Sequence, residues 1–166
     1  MKNEKSNRNK TIELSEYEKK LYLEKIDDNI IGGNFFDIEL EDGIVDLAIV
    51  DPPYNLSKTF GSSNFSKMSD EEYYNFTEKW VKKIKPLLKK TATIYVCCDW
   101  KSSLIIGNVL QKNFNIRNRI TWQREKGRGS SKNWKNSMED IWFATVSGKY
   151  KFNPDNVKLR RRVLAP

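Results

Sequence analysis

The chain has 166 residues and 30 lysines and arginines against 22 acids, giving a net charge of +8, a pI near 9.4 and a mean hydropathy of −0.72. That length suits one domain with a real core, and the basic balance fits a polyanionic partner, although such charge also serves solubility alone. The absence of histidine, with only Cys97 and Cys98 as thiols, excludes zinc sites and histidine-based triads; no apolar stretch approaches the ~18–20 residues that cross a bilayer, so a cytoplasmic chain without membrane contact is expected.

In chain order, residues 1–10 are polar and basic and read as a disordered arm. Leu14, Tyr17 and Leu21 predict a short amphipathic helix within Glu13 to Ile26. Asn29 to Asn34 reads as a short strand and turn, Phe35 to Leu40 as one or two helical turns, and Glu41-Asp42-Gly43 as a closing turn. The next run, Val45-Asp46-Leu47-Ala48-Ile49-Val50, is apolar and largely β-branched, which predicts a buried parallel strand. It stops abruptly at Asp51-Pro52-Pro53-Tyr54. Ligands of open α/β sheets bind at such carboxyl edges, although the four residues taken alone also fit a strand-terminating turn.

Asn55 to Lys67 has no usable period and is expected to be a mobile loop. Ser69 followed by Glu72 is a capping-box pattern, and Tyr73, Phe76, Trp80, Ile84 and Leu87 share one face of a helix expected to end at Lys89-Lys90, with Pro86 kinking its last turn. Ala92 to Cys98 is a strand whose adjacent cysteines read as buried thiols in a reducing compartment. A helix from about Ser102 to Lys112 with Leu104, Ile105 and Val109 follows. Ile116, Ile120 and Trp122 open another strand, and Asp140 to Val146 form a further one in which Trp142 and Phe143 are expected in the core. Strands alternating with helices predict a mostly parallel α/β sheet, and the last two strands, too close for a crossover helix, an antiparallel pair at one edge.

Between Trp122 and Trp134 lie Arg124, Lys126, Arg128 and Lys132, with Lys135 just beyond and Gly127 and Gly129 among them. This predicts a flexible electropositive loop able to contact phosphates, although a solvated hairpin has the same composition. Lys158 to Arg162 either approaches DNA or is a solvated terminus.

The Gly33-Asn34 turn, Asp51-Pro52-Pro53-Tyr54-Asn55, Ile120-Thr121-Trp122 with its basic segment, and Glu139-Asp140-Ile141-Trp142-Phe143 followed by Lys149-Tyr150 stand in the order found in bacterial DNA amino-methyltransferases of the β class. The chain resembles that family over about residues 22–166, read as a partial catalytic domain behind a basic arm and short helix at 1–21. The resemblance implies a Rossmann-like methyltransferase fold, S-adenosylmethionine as methyl donor, double-stranded DNA as substrate and membership of a restriction–modification system. Asp51 in place of serine favours adenine N6 over cytosine N4.

The roles it implies answer a chemical difficulty, since the lone pair of an exocyclic base amine is delocalised into the ring. Asp51 would accept one N–H and the carbonyl of Pro52 the other, Pro53 completes the turn, and Tyr54 would stack on the base at about 1–3 kcal/mol. The carboxylate would stabilise the developing cation and take or relay its proton, after the base is flipped out at a cost of roughly a few kcal/mol. Gly33, Asn34 and Asp51 are the implied cofactor residues, with Asn34 standing where relatives carry an acid. Asn55, Lys58, Arg124, Lys126, Arg128, Lys132 and Lys135 are the expected nucleic-acid contacts, and no metal is expected.

One family element has no counterpart, the Phe-x-Gly-x-Gly loop that holds the methionine part of the cofactor. The single Gly-x-Gly, Gly127 to Gly129, lies in the basic segment. The fold is therefore expected to be incomplete, lacking its carboxy-terminal cofactor-loop half, and the chain reads as part of a longer enzyme, half of a split enzyme, or an inactive remnant. The expected partners are then DNA, a complementary chain carrying the missing loop, and a second copy. The alternative function is an inactive or split-enzyme DNA-binding subunit. Related motifs act on RNA or glutamine amides, and Asp51 with the basic segment argues against glutamine.

Overall fold

The computed structural model describes residues 31–156 apart from 32, 61, 62, 129, 130 and 133, and omits the side chains of 58–64 and 126–128. The chain packs as two compact units, Met1–Ile38 and Glu39–Pro166. The described part of the first unit holds one 3₁₀ turn, Phe35–Asp37, capped by Asn34, whose Oδ1 accepts from the Phe36 N–H at 3.1 Å. The expected arm and helix within 1–26, residues 29 and 30 of the expected short strand, and the Lys158–Arg162 cluster lie outside the described residues.

The second unit runs β1 (Val45–Val50), β2 (Lys58–Phe60), β3 (Ser63–Phe65), α1 (Asp70–Leu87), β4 (Leu88–Cys98), α2 (Trp100–Asn113), β5 (Asn115–Arg128) and β6 (Asn136–Thr145), then a 3₁₀ turn at Pro154–Asn156. Four strands form one sheet in the order β1-β4-β6-β5. β1 pairs parallel with β4, while β4–β6 and β6–β5 are antiparallel, so among the described strands the sheet is less parallel than expected. The reason is the short link between Arg128 and Asn136, which admits a hairpin and not a crossover.

Ser69 and Glu72 close a reciprocal capping box at the start of α1, with three acids in the first turn facing the positive end of the helix dipole. The helix ends at Leu87, one residue past Pro86, which has no N–H to continue it. Lys89 and Lys90 therefore open β4 and do not close the helix, and Lys89 pairs with Asp46 of the neighbouring strand. α2 begins earlier than expected because Asp99 caps it, its Oδ1 accepting from the Ser102 N–H at 3.0 Å. Its buried face is Ser102, Ser103, Ile106, Val109 and Leu110, whereas Leu104 is exposed. The expected loop after Tyr54 carries the β2–β3 hairpin, whose three-residue strands are too short to leave a period. Much of the expected basic loop is strand as well, since β5 extends to Arg128.

Both helices pack on one face of the sheet. Ala48, Ile94, Val96 and Ala144 alternate into that layer against Val81, Ile106 and Leu110, each large aliphatic contributing about 1.5–3 kcal/mol on burial. Trp142 reaches Ser103 through its indole N–H at 3.1 Å and lies directly over Gly107, where an added Cβ would come within 2.5 Å of the ring. On the opposite face Tyr95 stacks on Phe143 at 4.7 Å between ring centres, and Phe152 stacks on Phe143 in turn. Leu47 and Ile49 project from that face of β1 and are 53% and 72% exposed, in contrast to the fully buried strand expected there.

Candidate active site

The site is assembled where β1 ends. Side chains alternate along a strand, so Asp51 continues the row of Leu47 and Ile49. The pairing of Ile49 with Tyr95 sets Asp51 level with Cys97, Cys97 pairs with Ile141, and Glu139 follows two residues along on the same side, opposite Trp122. Four neighbouring strands thus bring Asp51, Cys97, Glu139 and Trp122 onto one face at the same end of the sheet, the last two one step beyond the row of Asp51 and Cys97.

Tyr54 bends back into this row. Burial first, then the charges of Asp51 and Glu139, push the pKa of its hydroxyl well above the ordinary phenol range. The Cys97 thiol is also raised, chiefly by burial and then by Asp51 and Glu139. Cys97 is only partly covered, whereas Cys98 is buried and its thiol is pushed up to about 12, so only one of the two expected buried thiols is enclosed. Glu139 accepts from Arg124 Nη1 at 2.5 Å across the β5–β6 hairpin.

Pro52 is buried and Pro53 exposed. Neither proline can donate a backbone hydrogen bond, so the segment is held through other groups. Tyr73 of α1 donates its hydroxyl to the Pro53 carbonyl at 2.9 Å, and the Asn55 N–H donates to Ser102 Oγ at 3.1 Å. The Asn55 side chain closes the following loop by donating to the Met68 carbonyl at 2.9 Å and accepting from the Met68 N–H at 2.7 Å. Asn55 is 9% exposed with its amide engaged in this way, which makes it a fastener of the loop.

The remaining expected contacts are spread along the hairpins. Lys58 lies in β2, and Lys126 and Arg128 in β5. Lys132 and Lys135 are exposed in the connection to β6. Arg124 reaches the Asp51 row through Glu139. Gly33 and Asn34 are exposed in the first unit. A groove of about 770 Å³ lies elsewhere, between α2 and β5, lined by Gly107, Gln111, Arg117, Arg119 and Trp142, and none of the Asp51 row lines it. Sequence reasoning assigned no role at this site to Tyr73, Ser102, Glu139 or Cys97. Glu139 stood within a recognised motif, but only strand register reveals that it faces Asp51.

Residues 45–163 match the N6/N4 DNA methylase family model. The chain belongs to the DNA methylase family. It is 34% identical over 130 residues to the Type II methyltransferase M1.MboII of Moraxella bovis, covering 76% of this chain and 49% of that one. To the Type II methyltransferase M.HpaI of Haemophilus parainfluenzae it is 29% identical over 126 residues, covering 74% and 40%. The chain thus spans about half the length of these relatives or less. Among solved structures, the cytosine-N4-specific PvuII DNA methyltransferase superposes with a TM-score of 0.58 at 12% identity, over 70% of this chain and 48% of that one. TTHA0409 from Thermus thermophilus, a putative DNA modification methylase complexed with S-adenosyl-L-methionine, gives 0.52 at 17% identity, over 69% and 50%. The α/β fold is therefore that of DNA methyltransferases, represented over about half of their chains.

Proposed function

We propose that this chain carries the methyl-accepting half of a DNA amino-methyltransferase of a restriction–modification system, acting on the N6 amine of a flipped adenine in double-stranded DNA with S-adenosylmethionine as donor. One observation carries the reading. In a member of the DNA methylase family, a strand-end carboxylate, Asp51, stands at the carboxyl end of β1 beside the half-buried Tyr54, at an end of the sheet that it shares with Glu139.

A carboxylate has about four acceptor positions, which lets Asp51 accept from a base amine. Pro52 adds a carbonyl acceptor from a residue with no N–H to compete. Tyr54, whose neighbouring peptide groups are held by Tyr73 and Ser102, offers a ring face to the base. Drawing both N–H bonds toward fixed acceptors turns the nitrogen lone pair out of the ring plane and aligns it for in-line attack. The nitrogen becomes cationic as it is methylated, and Asp51 stabilises that charge and accepts or relays the proton. Lys58, Lys126, Arg128, Lys132 and Lys135 supply the phosphate contacts.

Bound S-adenosylmethionine supplies a methyl group on a positively charged sulfur, and the residues present fit it in part. The acidic edge of Asp51 and Glu139 suits a sulfonium. No glycine-rich turn follows β1 or β4 at this edge to admit the methionine backbone, the residues there being Asp51-Pro52-Pro53 and Asp99-Trp100. We assign that role to residues outside this sequence, on the same polypeptide or a complementary one. The edge position of β1 among the described strands, together with exposed Leu47 and Ile49, supports packing of further chain there.

The lack of a glycine-rich turn after β1 or β4 favours a second reading, a DNA-binding subunit without its own cofactor site. Calorimetric titration of S-adenosylmethionine separates the two, and tritiated-methyl transfer to unmethylated duplex DNA, RNA and protein tests the acceptor. Binding with N6-methyladenine as product supports the first reading. A folded chain that binds no cofactor supports the second.

A further inference from the structure

Tyr54 sits between two peptide groups that are both held from below. On one side the Pro53 carbonyl accepts from the Tyr73 hydroxyl, and on the other the Asn55 N–H donates to Ser102 Oγ. The two anchors come from two helices that pack on the same face of the sheet. Tyr73 is 0% exposed in α1 and Ser102 1% exposed in α2, and each is fixed by its helix. Ser102 is further set by Asp99, which caps α2 and accepts its N–H. The result is a pair of anchors, Tyr73 on the Pro53 carbonyl and Ser102 on the Asn55 N–H, that bracket Tyr54.

Such a device answers a need created by the sequence. Adjacent prolines remove two backbone donors just where the chain must turn, so the backbone holds Tyr54 from its far side, where the Leu56 N–H donates to its carbonyl at 2.6 Å. Pro53 still has an acceptor and Asn55 a donor, and the two anchors use one of each. Burial pushes the Tyr73 hydroxyl up to about 12, so it remains a donor at any working pH.

The geometry points to Tyr73 and Ser102 as positioning residues that fix the backbone on both sides of Tyr54, and so set the angle at which its ring meets the base. This rests on the proposed function, in which Tyr54 and Asp51 together receive the base. Neither Tyr73 nor Ser102 need touch substrate.

The test uses the full chain and two variants, Tyr73→Phe and Ser102→Ala, each removing one hydroxyl from a helix that keeps its other contacts. The first readout is hydrogen exchange of the Asn55 amide, with β4 amides as an internal control for folding. Tyr73→Phe is expected to speed Asn55 exchange by about tenfold, as loss of a supporting hydrogen bond would, while β4 protection is unchanged. The second is methyl transfer to duplex DNA, where each variant is expected to lower kcat by about tenfold with KM for DNA within about twofold, and the double variant to be no worse than about either single one, since the two act as a unit. If the wild-type chain transfers no methyl group, the proposed activity of the chain alone fails, and the Asn55 exchange rate still decides the positioning role. Unchanged Asn55 exchange in Tyr73→Phe overturns the inference, as does a lowered melting temperature accompanied by full kcat.

Discussion

Replacing Arg124 with methionine keeps an extended side chain and removes its charge, which separates two uses of one guanidinium. Arg124 Nη1 is 2.5 Å from Glu139 Oε1, and the two side chains are 39% and 23% exposed. A half-covered, charge-assisted hydrogen bond of this kind contributes about 1–2 kcal/mol, above the ~0–1 kcal/mol of a fully exposed pair. In a chain of this size that corresponds to a fall of roughly 3–6 °C in Tm. A phosphate contact would instead contribute about 0.9 to the slope of log affinity against log salt. The account predicts that Arg124→Met lowers Tm while leaving that slope unchanged, because Glu139 already engages the charge. Lys135→Ala, at an exposed position of the β5–β6 connection, should lower the slope by about 0.9 with Tm unchanged. Fluorescence anisotropy of a labelled duplex titrated at about 50 to 200 mM salt reads the slope, and thermal unfolding reads Tm. A slope reduced by about 0.9 in Arg124→Met, with unchanged Tm, would refute the reasoning and return Arg124 to the phosphate contacts.

Three further outcomes follow from single contacts. Asn55→Ala removes both side-chain bonds to Met68 and should cost about 1–2 kcal/mol, with limited proteolysis cutting within residues 57–67 faster than in wild type while the rest of the chain persists. Gly107→Ala places a Cβ 2.5 Å from Trp142 Cζ2 and should cost about 1–3 kcal/mol, with a shift of tryptophan emission as the indole leaves Ser103; unchanged stability would mean that the ring moves freely. The buried Cys98 thiol is raised to about 12, so the folded state holds its proton where the unfolded chain has lost it. Stability should therefore fall as pH rises from the ordinary thiol range toward about 12, and Cys98→Ala should flatten that decline in urea melts; equal slopes in variant and wild type would count against a buried thiol.

What the sequence made legible is what short-range chemistry encodes. The β1 boundaries, the Ser69–Glu72 capping box and the antiparallel pairing of β5 with β6 all appear where periodicity, capping residues and link length placed them. Errors arose where a tertiary partner overrides a local preference. Lys89 and Lys90 look like the basic end of a helix, yet Pro86 stops it and Asp46 draws Lys89 into the sheet. Leu104 matches a core position by spacing, but the layer is filled by Ile106 and Leu110 around Trp142, leaving Leu104 exposed. Leu47 and Ile49 read as buried because a strand composition says nothing of whether a neighbour covers its second face.

The same division runs through the site. Asp51, Pro52, Pro53 and Tyr54 announce themselves as consecutive residues, whereas the groups that hold and charge them come from distant positions. Tyr73 lies 20 residues away and reads only as one aromatic of a helix face. Ser102, 47 residues from Asn55, reads only as an early residue of the next helix. Glu139 becomes a neighbour of Tyr54 only through the pairing of three strands, β1, β4 and β6.

The measurement that bears most directly on the central claim is nucleoside analysis of duplex DNA after incubation with the chain and S-adenosylmethionine, for wild type against Asp51→Ala. The account predicts N6-methyladenine from the wild-type chain and none from the variant, with the variant still folded. Methylation that persists in Asp51→Ala would contradict the assignment of the carboxylate, and N4-methylcytosine as the product would contradict the choice of adenine.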